Sequence, residues 1–370
     1  MRAYPAARAV VNPQGDSPRK KRIATAPASR ITYRSAPPTM TNLSTEYLGL
    51  KIASPLIVGA SPFADDVQAV MLLQDMGAGA IVMRSLFEEQ IYLDALETAP
   101  AANPALFPAG GEPHAFPQPS DYQLSPARYL EQVSKLKSVL SVPLIASLNG
   151  SRPGGWIDYA QRFEKAGADA IELNLYQLAA DPDVPAAALE AELLETLRLV
   201  KSSVRIPVAV KLLPYFTSLA NFARQLEAAG ADGITLFNRL YQAKIDSEER
   251  AEDLSLDLSD SSELPARLRW LAILSPNLKC SLAASGGVHS AADAVKAIAA
   301  GADAVQLVSV LLRHGPRVLS SISEGLRRWI HDHGFESVDD LRDTMNLQRS
   351  LDPAGHERAQ YQRILQNWRI

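Results

Sequence analysis

Ala229-Gly230-Ala231-Asp232-Gly233 and Ala300-Gly301-Ala302-Asp303-Ala304 are two copies of a phrase that occurs four times, each time between an amphipathic stretch and an apolar run. The other two copies begin at Met76 and Ala166. A glycine directly after a helix takes the left-handed capping conformation, and the small alanine lets the helix approach a sheet closely. Because the apolar run suits a strand buried on both faces, the phrase predicts repeated helix-to-strand joints in a parallel sheet, and favours a closed barrel.

Short apolar runs bounded by turn residues alternate with stretches of helical periodicity along the chain, eight of each. This is the count of an α/β protein of the (β/α)8 TIM barrel type, in which functional residues gather at the carboxyl ends of the strands. The predicted strands are Pro55–Ala60, Ala80–Ser85, Pro143–Leu148, Ala170–Leu175, Pro207–Leu212, Gly233–Asn238, Ser281–Ser285 and Ala304–Val308. The predicted helices are Asp65–Met76, Pro126–Leu140, Ile157–Ala166, Ala186–Ser202, Leu219–Ala229, Leu264–Leu274, Ala291–Ala300 and Pro316–His331.

Two connections are longer than ordinary turns, and both leave the carboxyl-end face of the predicted barrel. Leu86–Ser125 follows the second strand and Arg239–Glu263 follows the sixth. Long connections in compact domains are usually functional lids or disordered segments. We therefore expect inserted loops that cover a site. The barrel is predicted over residues 41–332, with residues 333–370 forming a helical tail packed on it.

The composition indicates a globular protein and excludes several kinds of site. The chain has 370 residues, 47% of them hydrophobic, which allows one domain with a substantial core. Its single cysteine, Cys280, excludes an internal disulfide, a four-cysteine zinc site and an iron–sulfur cluster held by this chain alone. No two histidines have metal-ligand spacing on a recognisable element, so no metal is expected. A lone cysteine fits a reducing compartment, and we expect a cytoplasmic protein.

The formal net charge of −4 is unevenly distributed, because residues 1–40 carry +7 and the remainder carries −11. An acidic body gives no reason to expect nucleic-acid binding. No apolar run approaches the ~20 residues that span a membrane. Residues 1–40 are predicted to be a disordered basic extension; the alternatives are an organelle transit segment and a misread start, with Met40 as the natural first residue.

A pair of glycines is the strongest local signal for a ligand. In Ser285-Gly286-Gly287-Val288, after the seventh strand, the glycines expose backbone N–H groups, and the loop at Ser309 after the eighth strand supplies more. Together they indicate the phosphate site that is common in such barrels. Two tight turns that bind nothing are the alternative.

Polar residues end four other predicted strands: Arg84 the second, Asn174 the fourth, Lys211 the fifth and Asn238 the sixth. A lysine at the barrel mouth can hold a negative cofactor edge or stabilise an enolate, and its alternative role is a surface salt bridge. The two asparagines can donate and accept hydrogen bonds at once, which suits an amide- or imide-bearing ring. Asparagine is also an ordinary turn residue.

Several phrases, in their joint order, resemble the dihydroorotate dehydrogenase family of FMN-dependent barrel oxidoreductases. The likeness covers most of residues 41–315. The phrases are Tyr47-Leu48-Gly49-Leu50-Lys51, Ser54-Pro55-Leu56-Ile57-Val58-Gly59-Ala60-Ser61-Pro62, Glu172-Leu173-Asn174, Val210-Lys211-Leu212, Ser285-Gly286-Gly287-Val288, and Ala300-Gly301-Ala302 through Val305-Gln306.

This resemblance implies a flavin mononucleotide across the barrel mouth, with a small-molecule substrate beside it. Lys211 would face the flavin edge where reduction builds negative charge, and Asn174 and Asn238 would reach the substrate. The resemblance also suggests a homodimer. No amphipathic N-terminal segment or cysteine set identifies the electron acceptor. The residues implied to contact the flavin are Ala60, Ser61, Arg84, Ser147, Asn149, Asn174, Lys211, Gly286, Gly287 and Ser309.

Three positions depart from the family pattern. Arg84 replaces the usual lysine, and Val308 stands where the family tends to have glycine beside the phosphate. Gln177 occupies the place of the cysteine or serine that removes a proton from dihydroorotate, and an amide cannot act as a general base near neutral pH. Tyr176 or Asp181 is the expected replacement.

The expected function is therefore an FMN-dependent oxidoreductase that acts on a CH–CH group, with dihydroorotate, oxidised to orotate in pyrimidine biosynthesis, as the named substrate. Another unsaturated or heterocyclic substrate is an alternative. A second is a cofactor-free lyase or isomerase that acts on a phosphorylated metabolite, with Lys211 as a Schiff-base or enolate-stabilising group. A third is a non-catalytic barrel that retains flavin or phosphate and acts through partners.

Overall fold

The computed structural model describes residues 41–98, 117–150, 153–239, 241, 244–248, 251–348, 350 and 352–368. The predicted extension over residues 1–40 lies outside these ranges, as does much of the predicted loop after the second strand. Numbered along the chain, the strands are β1 (Thr45–Tyr47), β2 (Leu50–Ile52), β3 (Leu56–Val58), β4 (Ile81–Phe87), β5 (Leu144–Asn149), β6 (Ala170–Leu175), β7 (Val208–Leu212), β8 (Gly233–Leu236), β9 (Lys244–Asp246), β10 (Ala251–Asp253), β11 (Ser281–Ser285) and β12 (Ala304–Leu307).

The α-helices surround the sheet and include short ones at the carboxyl end and in the tail. They are α1 (Val67–Asp75), α2 (Glu88–Thr98), α3 (Pro126–Val139), α4 (Asp158–Ala166), α5 (Ala186–Ser203), α6 (Leu219–Ala228), α7 (Leu264–Leu274), α8 (Ala291–Ala299), α9 (Ser309–His314), α10 (Val318–Asp332), α11 (Val338–Leu341) and α12 (Pro353–Gln366). None of the described helices is long and apolar enough to cross a membrane.

Eight parallel strands close into a barrel, which confirms the predicted (β/α)8 fold. Around the barrel β11 is followed by β12, β3, β4, β5, β6, β7 and β8, so each strand neighbours the next along the chain. All eight predicted strands are present. Each predicted helix coincides with a helix of the outer ring. The strands are buried on both faces because their outer side chains pack under the helices and their inner ones fill the barrel.

The repeated phrase forms the predicted joint, and its aspartate ties neighbouring strands together. Asp232, before β8, accepts a hydrogen bond from the backbone N–H of Val208 at the start of β7 (2.7 Å) and pairs with Lys201. Asp169 and Asp303 accept in the same way from Leu144 (2.8 Å) and Leu282 (2.7 Å). All four joint glycines have the predicted positive φ.

The first copy has Gly79 in place of the aspartate, and the structure explains the exchange. The hydroxyl of Ser54 accepts the hydrogen bond from the N–H of Leu56 (3.2 Å), the role that aspartate plays elsewhere. A Cβ atom on Gly79 would lie only 1.9 Å from the carbonyl oxygen of Ser54. At this joint Ser54 therefore takes the role of the aspartate, and glycine at position 79 leaves room for the Ser54 carbonyl.

The joint predicts a measurable pH dependence at Asp303. Burial raises the pKa of this carboxyl to about 6, against the attraction of Arg342. Because the folded protein then holds the proton more tightly than the unfolded chain, the contribution of Asp303 to stability falls as the pH rises from about 4 to about 6. The free energy of unfolding, compared between wild type and Asp303→Asn by urea titration, should shift by roughly 2–3 kcal/mol across that window. A difference that does not vary with pH would contradict this assignment.

A two-stranded hairpin, β1 with β2, plugs the bottom of the barrel and was not predicted. Tyr47 and Leu48 pack against small interior side chains of the strands, such as Ala209 and Ala283. A Cβ atom on Gly233 would lie 2.4 Å from the Leu48 side chain. Burial raises the pKa of the Tyr47 hydroxyl far above its usual range, so this group stays neutral inside the barrel. Within the described part of the chain, the hairpin therefore closes this end of the barrel, and the carboxyl end is the open one.

The segments predicted as inserted loops contain regular structure. β4 continues to Phe87 and leads directly into α2, so the prediction of a loop from Leu86 was wrong over residues 86–98. The connection after β8 holds the hairpin of β9 and β10. The first segment carries acidic residues and no Lys or Arg, the second is mixed in charge, and neither gave a periodicity from which these elements could be read.

The region after the barrel divides into two parts. The stretch up to Leu347 packs on the barrel: Val338 and Leu341 are buried, and the N–H of Met345 donates to the Ala299 carbonyl (2.8 Å). α12 has no buried residue and contacts the barrel through an ion pair of Glu357 with Arg269.

Candidate functional site

A cavity of about 600 Å³ opens at the carboxyl ends of the barrel strands. This is the volume expected of a site for a cofactor or a small ligand. The structure brings most of the predicted site residues together in its wall. Those residues are Ala60, Ser61, Arg84, Asn149, Asn174, Tyr176, Lys211, Asn238, Gly286, Gly287 and Ser309.

The floor of the cavity is a buried network around a single ion pair. Lys211 Nζ lies 3.2 Å from Glu172 Oε1 and donates to Gln306 Oε1 at 3.1 Å. The other carboxylate oxygen of Glu172 accepts from the side-chain amide of Gln306 and from Thr235 Oγ1 (3.3 Å). Lys211 is 6% exposed and Glu172 1%, so this pair is held in a low-dielectric environment. Lys211 thus presents a fixed, positively charged donor to the cavity, and the alternative of a surface salt bridge is wrong.

The two asparagines predicted to meet the substrate contact each other. Asn238 Nδ2 donates to Asn174 Oδ1 at 2.7 Å, and both side chains line the cavity. This bond uses one acceptor and one donor, which leaves the Asn174 amide N–H groups and the Asn238 carbonyl oxygen for a ligand. The pair can therefore offer a donor and an acceptor side by side.

Tyr176 lies at the mouth of the same cavity. Its hydroxyl donates to the carbonyl oxygen of Tyr241 (3.3 Å) and accepts from the N–H of the same residue (3.2 Å). The connection after β8 therefore holds Tyr176 in place. Its phenol oxygen therefore has one acceptor and one donor partner in Tyr241, on a residue that lines the cavity.

The paired glycines turn away from the barrel in a conformation that excludes larger residues. Gly286 and Gly287 have φ of +88° and +80°, and a Cβ atom on Gly287 would lie 2.5 Å from the backbone nitrogen of Leu264. The N–H of Gly287 donates to Ser259 Oγ (3.4 Å), and the Ser259 hydroxyl donates to Ser309 Oγ (2.9 Å). One backbone N–H and two hydroxyls thus adjoin one another at this end of the cavity, and a phosphate group could accept from them in place of these mutual contacts.

Arg267 supports this cradle and also lines the cavity. Its guanidinium donates to the carbonyl oxygens of Ser285 (2.8 Å) and Glu263 (2.7 Å), and burial lowers its pKa. Neither Ser259 nor Arg267 was predicted. Both lie in a connection or helix that carries no motif, and only the barrel geometry places them beside the glycines.

Arg84 and Ser61 occupy the opposite wall. Arg84 Nη2 pairs with Asp65 Oδ2 at 2.7 Å, and burial raises the pKa of that aspartate against the attraction of Arg84. The hydroxyl of Ser61 and the Nε atom of Arg84 are buried without a hydrogen-bond partner among the described residues. These polar atoms have room for a ligand's polar groups.

Ser147, implied to contact the flavin, does not line the cavity among the described residues. It is fully buried, and its hydroxyl lies 2.8 Å from Ser85 Oγ, which does line the cavity. Tyr129 accepts from the backbone N–H of Ser147 (3.0 Å) and donates to the carbonyl of Arg84 (2.8 Å). Ser147 therefore supports the wall from behind.

The position of the missing base lies in a different cavity. Gln177 and Asp181 line a second cavity of about 340 Å³ between the β6–α5 connection and the segment after β7. Neither residue lines the larger cavity among the described residues. Of the two expected replacements for the base, only Tyr176 lies where a ligand of the larger cavity can reach it.

Val308, the second departure from the family pattern, fits because of a compensating glycine. Its side chain lines the cavity, and a Cβ atom on Gly59 would lie 2.7 Å from Val308 Cγ2. Because Gly59 has no side chain, it leaves the space that the Val308 side chain occupies.

Comparisons with known proteins agree with this site. The sequence model of the family "Dihydroorotate dehydrogenase" matches residues 124–330. A protein of Aeropyrum pernix described as dihydroorotate dehydrogenase A (fumarate) is 31% identical over 312 residues, which cover 81% of this chain and 96% of that protein. The dihydroorotate dehydrogenase B (NAD(+)) catalytic subunit of Thermococcus kodakarensis is 28% identical over 316 residues, 82% of this chain and 98% of the subunit.

The family model matches six of the eight barrel strands, from β5 to β12, and so includes the Lys211 network and the glycine cradle. Family and fold therefore agree. The chain belongs to the dihydroorotate dehydrogenase family of FMN-dependent oxidoreductases.

Proposed function

We propose that the carboxyl-end cavity binds FMN and a small cyclic substrate whose CH–CH bond is oxidised, with dihydroorotate as the first candidate. The observation that carries the proposal is the shared cavity of Lys211 and the Asn174–Asn238 pair. A fixed cation for the negative edge of a flavin and a donor–acceptor pair for an amide ring lie side by side. This is the arrangement that such an oxidoreductase needs.

The residues present fit FMN. The buried Ser61 hydroxyl, which has no partner among the described residues, the Lys211 ammonium and the adjoining donors at Gly287 and Ser259 suit the polar edge and the phosphate of the cofactor. Ala60 and Asn149 complete the wall, and Ser309 would hold the phosphate with Gly286 and Gly287. When bound, the flavin supplies hydride transfer, which is cofactor chemistry rather than chemistry of the chain.

The chain's own residues would position the substrate and handle its proton. The Asn174–Asn238 pair would orient an amide-bearing ring, and Lys211 would stabilise negative charge that develops in the cavity. Tyr176 is proposed to accept the substrate proton as a phenolate, because the residue lines the cavity and the N–H of Tyr241 can stabilise a phenolate oxygen. Gln177 cannot take this role from the neighbouring cavity.

The departure at Gln177 also supports a second candidate, a different unsaturated or heterocyclic substrate. Replacement of the usual base changes which carbon acid the site can deprotonate. The same cavity and cofactor serve both candidates. The lyase or isomerase alternative has less support, because Lys211 Nζ is bound by Glu172 and Gln306 and is not a free amine.

Spectroscopy of the purified protein tests this proposal directly. We expect a flavin spectrum that bleaches when dihydroorotate is added without oxygen, and at least roughly hundredfold slower bleaching in Tyr176→Phe. Dithionite is the control for a reducible flavin. A flavin that dithionite bleaches and dihydroorotate does not would favour the second candidate. Protein that binds no added FMN would overturn the proposal.

The relatives named above include both a fumarate-type and an NAD(+)-type enzyme, so the acceptor of this chain is a separate proposal. We propose a small soluble oxidant, and a homodimer as the assembly. Steady-state rates with fumarate and with NAD(+), and sedimentation velocity of the purified protein, test these two points.

A further inference from the structure

Four cationic side chains line the carboxyl-end cavity, and no Asp or Glu is found among the described residues of its wall. Two of the four have a close carboxylate partner of their own: Arg84 pairs with Asp65 at 2.7 Å, and Lys211 pairs with Glu172 at 3.2 Å. The charge of these two is compensated behind the wall. The remaining two are Arg239 and Arg267.

Arg239 and Arg267 share one carboxylate. Arg267 Nη2 lies 3.2 Å from Glu263 Oε2, and Arg267 also donates to two backbone carbonyls. Arg239 Nη2 lies 3.5 Å from Glu263 Oε1, a longer contact. One positive charge therefore remains uncompensated within this group, and Arg239 is the member with fewer hydrogen bonds.

The Nη1 atom of Arg239 is buried without a hydrogen-bond partner among the described residues. A buried guanidinium N–H that lacks a partner costs free energy, and an anion is the partner that recovers it best. Arg239 follows Asn238 directly, so it adjoins the asparagine pair. It also lies across the barrel from Arg84, because β4 and β8 are four strands apart in the closed eight-strand ring.

We propose that Arg239 is a specificity-determining residue that binds the carboxylate of an anionic substrate beside the Asn174–Asn238 pair. This inference rests on the proposed function, since it uses the same cavity and assumes that the substrate ring contacts the asparagines. The planar fork of the guanidinium matches a carboxylate with two parallel hydrogen bonds. An uncharged ring of the same shape leaves the fork unpaired and binds more weakly.

Calorimetric binding to the oxidised, FMN-loaded protein tests the proposal without turnover. The probes are orotate and uracil, which share a ring and differ by the carboxylate. We expect the wild type to bind orotate at least roughly tenfold more tightly than uracil. Arg239→Gln should reduce that preference to within about twofold and leave the uracil Kd unchanged. Arg239→Lys should be intermediate, because it keeps the charge and loses the fork.

Two further variants test which cationic side chain binds the carboxylate. Arg198→Gln, which removes an exposed arginine paired with Glu195 on α5, is the matched control and should keep the wild-type preference. If Arg84→Gln abolishes the preference while Arg239→Gln keeps it, the carboxylate lies at the second strand and the inference is overturned. A loss of FMN affinity in Arg239→Gln with an unchanged orotate preference would also overturn it and assign Arg239 to the cofactor. If FMN binds and neither probe does, the proposed substrate class fails together with the inference.

Discussion

Lys211→Met should lower kcat/KM for the substrate that the enzyme oxidises by at least roughly a hundredfold. This is the cost of removing one preorganised donor from a site where charge develops. The effect should be large because Lys211 Nζ is fixed by Glu172 and Gln306 and needs no rearrangement on binding. Methionine fills similar space without the charge. Stopped-flow reduction of the flavin under anaerobic conditions measures the loss apart from reoxidation.

The same substitution should destabilise the fold, since it leaves Glu172 as an unpaired buried charge. Removal of one partner of a buried pair costs about 3–5 kcal/mol. The double variant Glu172→Gln/Lys211→Met removes both charges and should recover part of the free energy of unfolding without recovering activity. Lys137→Met breaks the partly exposed pair with Asp169 at the other end of the barrel and should change stability by less than Lys211→Met, by about 1 kcal/mol. Wild-type flavin reduction in Lys211→Met would contradict the assigned role.

Gly287→Ala should cost the protein most of its FMN, with the Kd for the cofactor raised at least roughly tenfold. Two effects combine at this position. The φ of +80° strains any residue with a Cβ atom by about 1–2 kcal/mol, and that atom would lie 2.5 Å from the backbone nitrogen of Leu264. Relief of this contact requires the cradle to move, which displaces the Gly287 N–H and the Ser259 hydroxyl that face each other.

Gly334→Ala is the control that separates the effect of backbone strain on stability from the effect of a displaced cradle on FMN binding. Gly334 has nearly the same φ, +78°, but no atom lies within 4 Å of its missing Cβ, and it follows α10 far from the cavity. It should lose stability through strain alone and keep the wild-type affinity for FMN. Titration of each apoprotein with FMN, monitored by the quenching of flavin fluorescence, gives the FMN Kd of Gly287→Ala and of Gly334→Ala. Equal FMN affinity in the two variants would show that the glycine pair does not bind the phosphate.

The barrel could be predicted from the sequence because its signals are local and repeated. Each joint carries its own capping glycine, and each strand is apolar enough to be buried on both faces. The same signals placed Lys211, Asn174 and Asn238 at strand ends, which in a parallel barrel all lie at one mouth. Their positions follow from topology alone.

What could not be predicted depends on contacts between distant segments. The β1–β2 hairpin has strands of three residues, too short for any periodicity, and is held by alanines that belong to other strands. Nothing in the sequence singles out Glu172 beyond a phrase shared with the family, because its partners lie on β7, β8 and β12. Arg239 resembles an ordinary surface arginine until the shared carboxylate of Glu263 is counted.

The hairpin at the bottom of the barrel also constrains the order of events during turnover. Tyr47 closes that end, so among the described residues the cavity is reached from the carboxyl-end mouth of the barrel. Substrate and product would use the same entrance to the cavity. A soluble oxidant that reacts in the cavity would enter only after the product has left. Catalysis of the proposed kind would therefore proceed by alternation, with each half-reaction completed before the next reactant enters, which is the pattern of ping-pong kinetics.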